Sequence, residues 1–290
     1  MPPNNDGFLH EYANINGLRY HYVRQGSGPP LLLIHGWPGF YYEWHLNIGP
    51  LSEHFDVVVP DMRGYAYTEK PDLKPEEGYR PADFAQDIRV LFDHLGWEKA
   101  NIVSHDFGAV WVQQFARTYR DRLDNLVLFD PPYPGIGMRW MEVGHIPQIW
   151  YQLFHQLPWA EDLVGSSRKA TDLYVRHFLS HWSFDMNLWS DEEIAEYVEA
   201  FSQPGAIRGG FNCYRAAFRG RLATRRRPED LHAHAHPLGR QRRRPAYSLE
   251  RQAPRFLLQP HFPQGRTGGP LPHAREARIG KPSAHGVRAK

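Results

Sequence analysis

The sequence predicts an α/β fold, a mostly parallel sheet flanked by helices with a further helical layer, and three features predict it. Four short apolar runs lack polar alternation: "PLLLIHG" (30–36), "FDVVVPD" (55–61), "ANIVSHD" (100–106) and "NLVLFDP" (125–131). Such runs are what strands buried on both faces look like. An amphipathic helical segment separates the second run from the third, giving the strand and helix alternation of a parallel sheet. After Pro134 strand-like runs stop, and aromatic-rich helical segments continue to about Arg219.

Taken in order, "EYANINGLRYHYVRQ" (11–25) alternates polar with apolar residues around Asn16-Gly17, a hairpin signal. In "PADFAQDIRVLFDHLGW" (81–97), Phe84, Ile88, Leu91, Phe92 and Leu95 form one stripe, with Pro81 at its start and Gly96 at its end. These elements divide the chain into the N-terminal part of a core, 1–134, and a helical cap, 135–219. The remainder, 220–290, is dense in Arg, Pro, His and Gly with no helical or strand period, and is expected to be a disordered, aberrant basic tail. The C-terminal part of the core is then absent or disordered.

With 41% hydrophobic residues, the 290-residue chain can bury a sizeable core. A single cysteine, Cys213, excludes an internal disulfide. Neither a charged-then-apolar leader nor an apolar run of bilayer length is present, so a cytoplasmic protein without a membrane partner is expected. The formal charge of +2 conceals an asymmetry: 16 of the 34 basic side chains but 4 of the 32 acidic ones lie in 221–290. Taken alone, such a tail reads as an arm for nucleic acid or anionic surfaces. The histidines lack a ligand spacing apart from a weak tract, "HAHAH" (232–236), and there is no Gly-rich phosphate loop. No metal, cofactor or nucleic-acid partner is expected; a small-molecule substrate is, and the oligomeric state stays open.

In an open parallel sheet the site lies beyond the carboxyl ends of the strands. His35-Gly36-Trp37-Pro38, Asp61, Asp106 and Asp130 all fall there. Asp106 stands on a sharp strand-to-helix turn, where a carboxylate either caps the helix or, being ionised at neutral pH, attacks carbon without a base to activate it. "SHDFGA" (104–109) resembles the nucleophile elbow of the α/β-hydrolase fold, with Asp106 in the serine's place and Gly108 permitting close strand-to-helix packing. "HGWPG" (35–39), otherwise a Gly-Pro turn, resembles the loop that supplies the second amide of the oxyanion hole in that fold. The resemblance, with "DMRGY" (61–65) between the two motifs, makes the amides of Trp37 and Phe107 the oxyanion donors.

A carboxylate nucleophile requires a leaving group on saturated carbon, and within this fold the resemblance implies two main classes, epoxide hydrolases and the haloalkane or haloacid dehalogenases. Halide departs as a weak base, whereas an opening epoxide leaves an alkoxide that needs a proton, and a phenol with a pKa near ~10 can supply it. "YQLFHQLPWAEDL" (151–163) and "EEIAEYVEAFSQPGAIRGGFNCYRAAF" (192–218) resemble the two cap segments of soluble epoxide hydrolases. The resemblance implies Tyr151 and Tyr214 as donors to the epoxide oxygen; the alternative is that both merely pack the cap. His35, Pro38, Trp150 and Phe154, with Trp37, are expected to line a pocket for an apolar or aryl epoxide opened to a vicinal diol. The runner-up is a haloalkane or haloacetate dehalogenase acting on an organohalide through the same aspartate. It loses ground at Phe107, where haloalkane dehalogenases usually carry Trp, and Arg63 and Arg117 remain as carboxylate binders for a haloacid. A third reading is a catalytically dead hydrolase-like protein whose basic tail binds.

The resemblance covers roughly 8–218 and leaves out two strands, an orienting acid and the histidine that activates water. Read one nucleotide out of frame, codons compatible with the tail from Leu231 encode S-M-P-T-L-I-L-W-G-D-N-D, and those from Gly265 encode V-E-Q-V-G-H-F-L-M-R-E-K-P. These are the expected strand with its acid and the histidine segment, in order. A frameshift between about Phe218 and Asp230 is therefore expected. The chain as written would form the ester and stall, and its sheet edge would be exposed. Asp130 is either the acid, as some dehalogenases place one at that strand end, or a turn residue before Pro131-Pro132.

Overall fold

The first two strands, β1 (His10–Ile15) and β2 (Leu18–Gln25), pair antiparallel with Ile15 opposite Leu18. The turn is therefore Asn16-Gly17, and both residues have positive φ, 53° and 81°. That is the two-residue geometry whose twist matches the flanking strands. The computed structural model describes residues 6–132 and 142–223.

The four apolar runs become β3 (Pro30–Ile34), β4 (Asp56–Pro60), β5 (Ala100–His105) and β6 (Leu123–Phe129). They are mutually parallel, and β2 joins β4 antiparallel, giving the order β1-β2-β4-β3-β5-β6. Leu32, Leu33, Ile34, Val57, Val58 and Val59 are completely buried, as central strands covered on both faces require. Strand β6 closes the described sheet and is much less covered: Val127 and Phe129 are 46% and 47% exposed.

Helix α1 (His45–Ser52) follows a 3-10 turn at Tyr41–Trp44, and α2 (Pro75–Gly78) is a single turn. Helix α3 (Pro81–Leu95) starts on Pro81 and stops at left-handed Gly96, φ 73°. It buries Phe84, Ile88, Leu91 and Phe92, with Leu95 half-buried at its end. Phe84 stacks on Trp111 of α4 (Phe107–Thr118) with ring centres 4.0 Å apart. Asp87 of α3 is fully buried and receives a fork from Arg63, Nε to Oδ2 and Nη2 to Oδ1, both 2.5 Å. Tyr20 and Asn16 also donate to it, so one carboxylate ties the hairpin, the loop after β4 and α3 together.

The helical layer comprises α5 (Ile146–Phe154), α6 (Ala160–Gly165), α7 (Arg168–Trp182), α8 (Asp191–Ser202) and α9 (Ala206–Ala223). Ser167 caps α7, and Ser190 with Glu193 forms a capping box on α8. Two glycines bring α9 against the core. A Cβ on Gly209 would stand 2.0 Å from the Gly64 carbonyl oxygen, and one on Gly210 would stand 3.0 Å from Trp37 Nε1. Helix α9 continues past the compositional break at Gly220 to Ala223. The expected core-to-cap boundary at 134 and the tail from 224 lie outside the described residues. The described residues fall in one contact unit, Met1–His234; the other, Ala235–Lys290, is not among them. No described helix is long and apolar enough to cross a membrane.

Candidate active site

The site is built where β5 turns into α4. Asp106 occupies that turn with φ 47° and ψ −118°, backbone that a residue with a Cβ rarely adopts. Its amide donates to the Phe129 carbonyl at 3.1 Å, fixing the turn to the end of β6. A Cβ on Gly108 would lie 2.5 Å from the His35 carbonyl oxygen, so α4 starts directly against the end of β3. The same closeness holds at Gly36, where a Cβ would lie 2.5 Å from Asp106 Cβ. Loop 35–39 is thus laid on the aspartate.

The Asp106 side chain does not cap α4. Its Oδ1 accepts the Trp37 backbone N–H at 2.9 Å, and the Phe107 amide also bonds to the carboxylate. Both amides expected from the sequence therefore converge on this one group. Burial pushes the Asp106 carboxyl up, the His105 charge and the two amides oppose this, and Asp130 adds to the rise, leaving it at about 6. At neutral pH it is an anion with little water around it.

Tyr151 and Tyr214 approach from α5 and α9. Tyr151 lies parallel to the Trp37 indole, rings 5.5 Å apart, and Tyr214 meets the edge of Phe107 at 4.7 Å. The two phenols are perpendicular at 5.5 Å and share a side-chain hydrogen bond. Burial pushes Tyr151 up to about 12, and the Asp106 charge adds to it; burial, Tyr151 and Asp106 push Tyr214 up as well. Both are protonated at neutral pH, and both lie within electrostatic reach of Asp106.

Of the other sequence candidates, Pro38 is buried in the same loop. His35 was expected to line the pocket, but its ring is fully buried and both nitrogens are occupied. Nδ1 bonds the Gly36 carbonyl at 2.8 Å, and Nε2 accepts the Met62 amide at 2.9 Å. It braces two loops instead of offering a polar atom to a ligand. Trp150 is 40% exposed and meets Tyr151 edge-on at 6.5 Å, on the outer side of the aromatic cluster. Phe154 is half-buried and packs on Tyr174 and Phe211. Asp130, exposed with φ 43°, acts electrostatically on Asp106 and His105. Asp61 is engaged by His21 at 2.8 Å and by the Tyr41 amide, well inside the fold. Arg63 is locked on Asp87, and Arg117 is exposed at the end of α4. The "HAHAH" tract lies outside the described residues, among which no group of three or more His, Cys, Asp or Glu could hold a metal.

Two residues of the site were missed from the sequence, Glu43 and His105. Glu43 Oε2 accepts the Gly36 N–H at 3.1 Å, and Oε1 faces His105 Nδ1 at 3.0 Å. The adjacency of His105 to Asp106 was a usable signal; nothing local marks Glu43. Two surface grooves, about 530 Å3 around Trp97 and Arg122 and about 330 Å3 around Asp172 and Arg176, contain none of these residues.

Comparison with known proteins agrees with this architecture. The model of the alpha/beta hydrolase fold family matches residues 29–199. A soluble epoxide hydrolase from Corynebacterium sp. (strain C12) is 39% identical over 217 residues, covering 72% of this chain and 73% of that protein. Human epoxide hydrolase 4 is 31% identical, and the match spans 72% of this chain but 59% of that longer relative. Among solved structures, the ligand-free epoxide hydrolase CorEH superposes with a TM-score of 0.68 at 37% identity, covering 73% of this chain and 75% of that one. An epoxide hydrolase from Vigna radiata superposes with a TM-score of 0.63 at 27% identity, covering 75% and 74%. The chain belongs to the α/β-hydrolase fold family, as an enzyme of its epoxide hydrolase-like branch.

Proposed function

We propose that this chain opens epoxides to vicinal diols through an ester on Asp106. One observation carries the reading: a carboxylate on a strained elbow, held by the Trp37 and Phe107 amides, faces two protonated phenols contributed by the helical layer. Similarity to proteins named as epoxide hydrolases supports it. A carboxylate oxygen attacks a ring carbon, the carbon–oxygen bond of the epoxide breaks, and Tyr151 or Tyr214 gives its proton to the departing oxygen. Water then adds to the ester carbonyl, and the two amides hold the oxyanion before the ester bond to the substrate breaks and the diol leaves. Asp106 regains its carboxylate, and the proton lost by water restores the phenol.

The second half-reaction needs a base, and His105, the histidine beside Asp106, is a cation at neutral pH. We take the frame-corrected tail to supply that base; resequencing the codons for Cys213 to Lys290 checks the frame. In a frame-restored protein Asp106→Asn should abolish diol formation. Tyr214→Phe should slow ring opening by about 10-fold or more, a general acid commonly contributing ~10²–10⁴. Diol production by the Asp106→Asn protein at the parent rate would end the proposal.

One observation favours a dehalogenase instead: Trp37 Nε1, buried beside Tyr151, has no hydrogen-bond partner among the described residues, and it is the kind of donor that solvates halide. Chloride or fluoride release from organohalides, with no diol from epoxides, would establish that reading.

A further inference from the structure

We propose that Glu43 and His105 are a positioning pair that ties the loop carrying the Trp37 amide to the residue preceding the nucleophile and keeps a cation beside Asp106. The inference rests on the reading of Asp106 as nucleophile and adds two residues to it.

The geometry is a closed set of contacts. Glu43 stands in the 3-10 turn that follows loop 35–39 and folds back beneath it. Its Oε2 accepts the Gly36 amide at 3.1 Å, and its Oε1 bonds His105 Nδ1 at 3.0 Å. The space for that carboxylate exists because position 39 has no side chain: a Cβ on Gly39 would stand 1.8 Å from Glu43 Oε2. Gly36 in turn lies against Asp106 Cβ, and the next amide, that of Trp37, donates to Asp106 Oδ1 at 2.9 Å. His105 ends β5, immediately before Asp106. One carboxylate therefore couples the end of β5 to the loop after β3, the two segments whose separation sets the distance from amide donor to nucleophile. A displacement of ~1 Å between such groups costs on the order of 10²-fold in rate.

Charge follows from the same contacts. Burial opposes the positive form of His105, but the Glu43 hydrogen bond and the carboxylates of Glu43, Asp106 and Asp130 outweigh it and push the imidazole up to about 9. The pair looks like a histidine with its orienting acid, yet at neutral pH it is a fixed cation and not a base. Asp106 is faced by His105 from its own strand, by Asp130 beyond β6, by Tyr151 and Tyr214 from the helical layer, and by Tyr65 and Cys213. Among these His105 is the one cation, so the fraction of Asp106 ionised near pH 6 depends on it.

The test uses the full chain and reads the first half-reaction, in which mass spectrometry of the intact protein follows the gain of one styrene oxide with time. In the parent, the adduct rate should rise through a midpoint near pH 6 to a plateau. His105→Gln keeps a donor toward Glu43 but removes the charge. Its midpoint should rise by about 1 pH unit, an opposite charge at close range being worth ~1–3. Glu43→Ala should move the midpoint the same way and also lower the plateau by about 10-fold or more, since the Gly36 amide loses its anchor. Glu43→Gln, which retains an acceptor for that amide, should restore most of the plateau and none of the midpoint. Melting curves matched to the parent certify each variant as folded. Unmoved midpoints in folded His105→Gln and Glu43→Gln would overturn the pair's electrostatic role, and an undiminished Glu43→Ala plateau its positioning role. No adduct on the parent itself would instead overturn the reading of Asp106, and the pair with it.

Discussion

Asp106 shows what burying a carboxylate on a strained turn costs the fold. Its backbone sits at positive φ, and burial raises its carboxyl to about 6 from an ordinary value of 3.8. A carboxyl group whose folded value lies above its unfolded one binds protons more tightly when folded, so ionising it destabilises the protein. That penalty is absent below about 3.8, grows as pH rises and is complete above about 6. Asp106→Asn removes the charge and also tolerates positive φ better. The variant should be more stable than the parent at pH 7.5 by about 1–2 kcal/mol, each pKa unit being worth ~1.4 kcal/mol before allowance for partial solvation. At pH 4 the gap should nearly close, which thermal melts at the two pH values will measure. The residues legible from sequence at this scale were those whose chemistry announces itself at strand ends. Asp106, Trp37 and Phe107 converge through backbone positions that their motifs define, whereas the direction of the His35 ring is decided by the Met62 amide, far along the chain. Glu43 has no motif of its own; its role arises only when the loop after β3 comes to lie on the end of β5.

At the scale of elements, the Arg63 to Asp87 pair joins the loop after β4 to α3 and buries both charges. Because Asp87 also receives Tyr20 and Asn16, Asp87→Ala would strand an Arg and a phenol in the interior. Removing one partner of such a pair typically costs ~3–5 kcal/mol, and urea unfolding of the variant should show a loss of that size. A loss below about 1 kcal/mol would mean water reaches the site. The hairpin and α3 were readable to within a residue, because Asn16-Gly17, Pro81 and Gly96 are punctuation with a steric cause. The helical layer was readable only as texture. Its helices take their positions from contacts such as Gly209 against Gly64, which set where α9 carries Tyr214 and which no local pattern encodes. Past Gly220 the composition changes while the helix continues to Ala223.

For the whole molecule, the sheet among the described residues ends at β6, whose outer edge leaves Val127 and Phe129 half in solvent. Unpaired apolar edges recruit other chains. The full chain should therefore associate in a concentration-dependent way in light scattering, and Val127→Lys should lower the apparent mass. A parent that stays monomeric at every concentration would contradict this. The parallel order of the central strands was implicit in their unbroken apolar runs; the exposed edge was expected from the resemblance and not from β6 itself, whose sequence reads like that of a central strand.

The most direct test of the central claim is to incubate the full chain with styrene oxide, digest it and locate the adduct by peptide mass spectrometry. The account predicts a single addition on the peptide containing Asp106, abolished in Asp106→Asn and labile to hydroxylamine as an ester must be. Addition elsewhere, or equal addition to the Asp106→Asn chain, would contradict it.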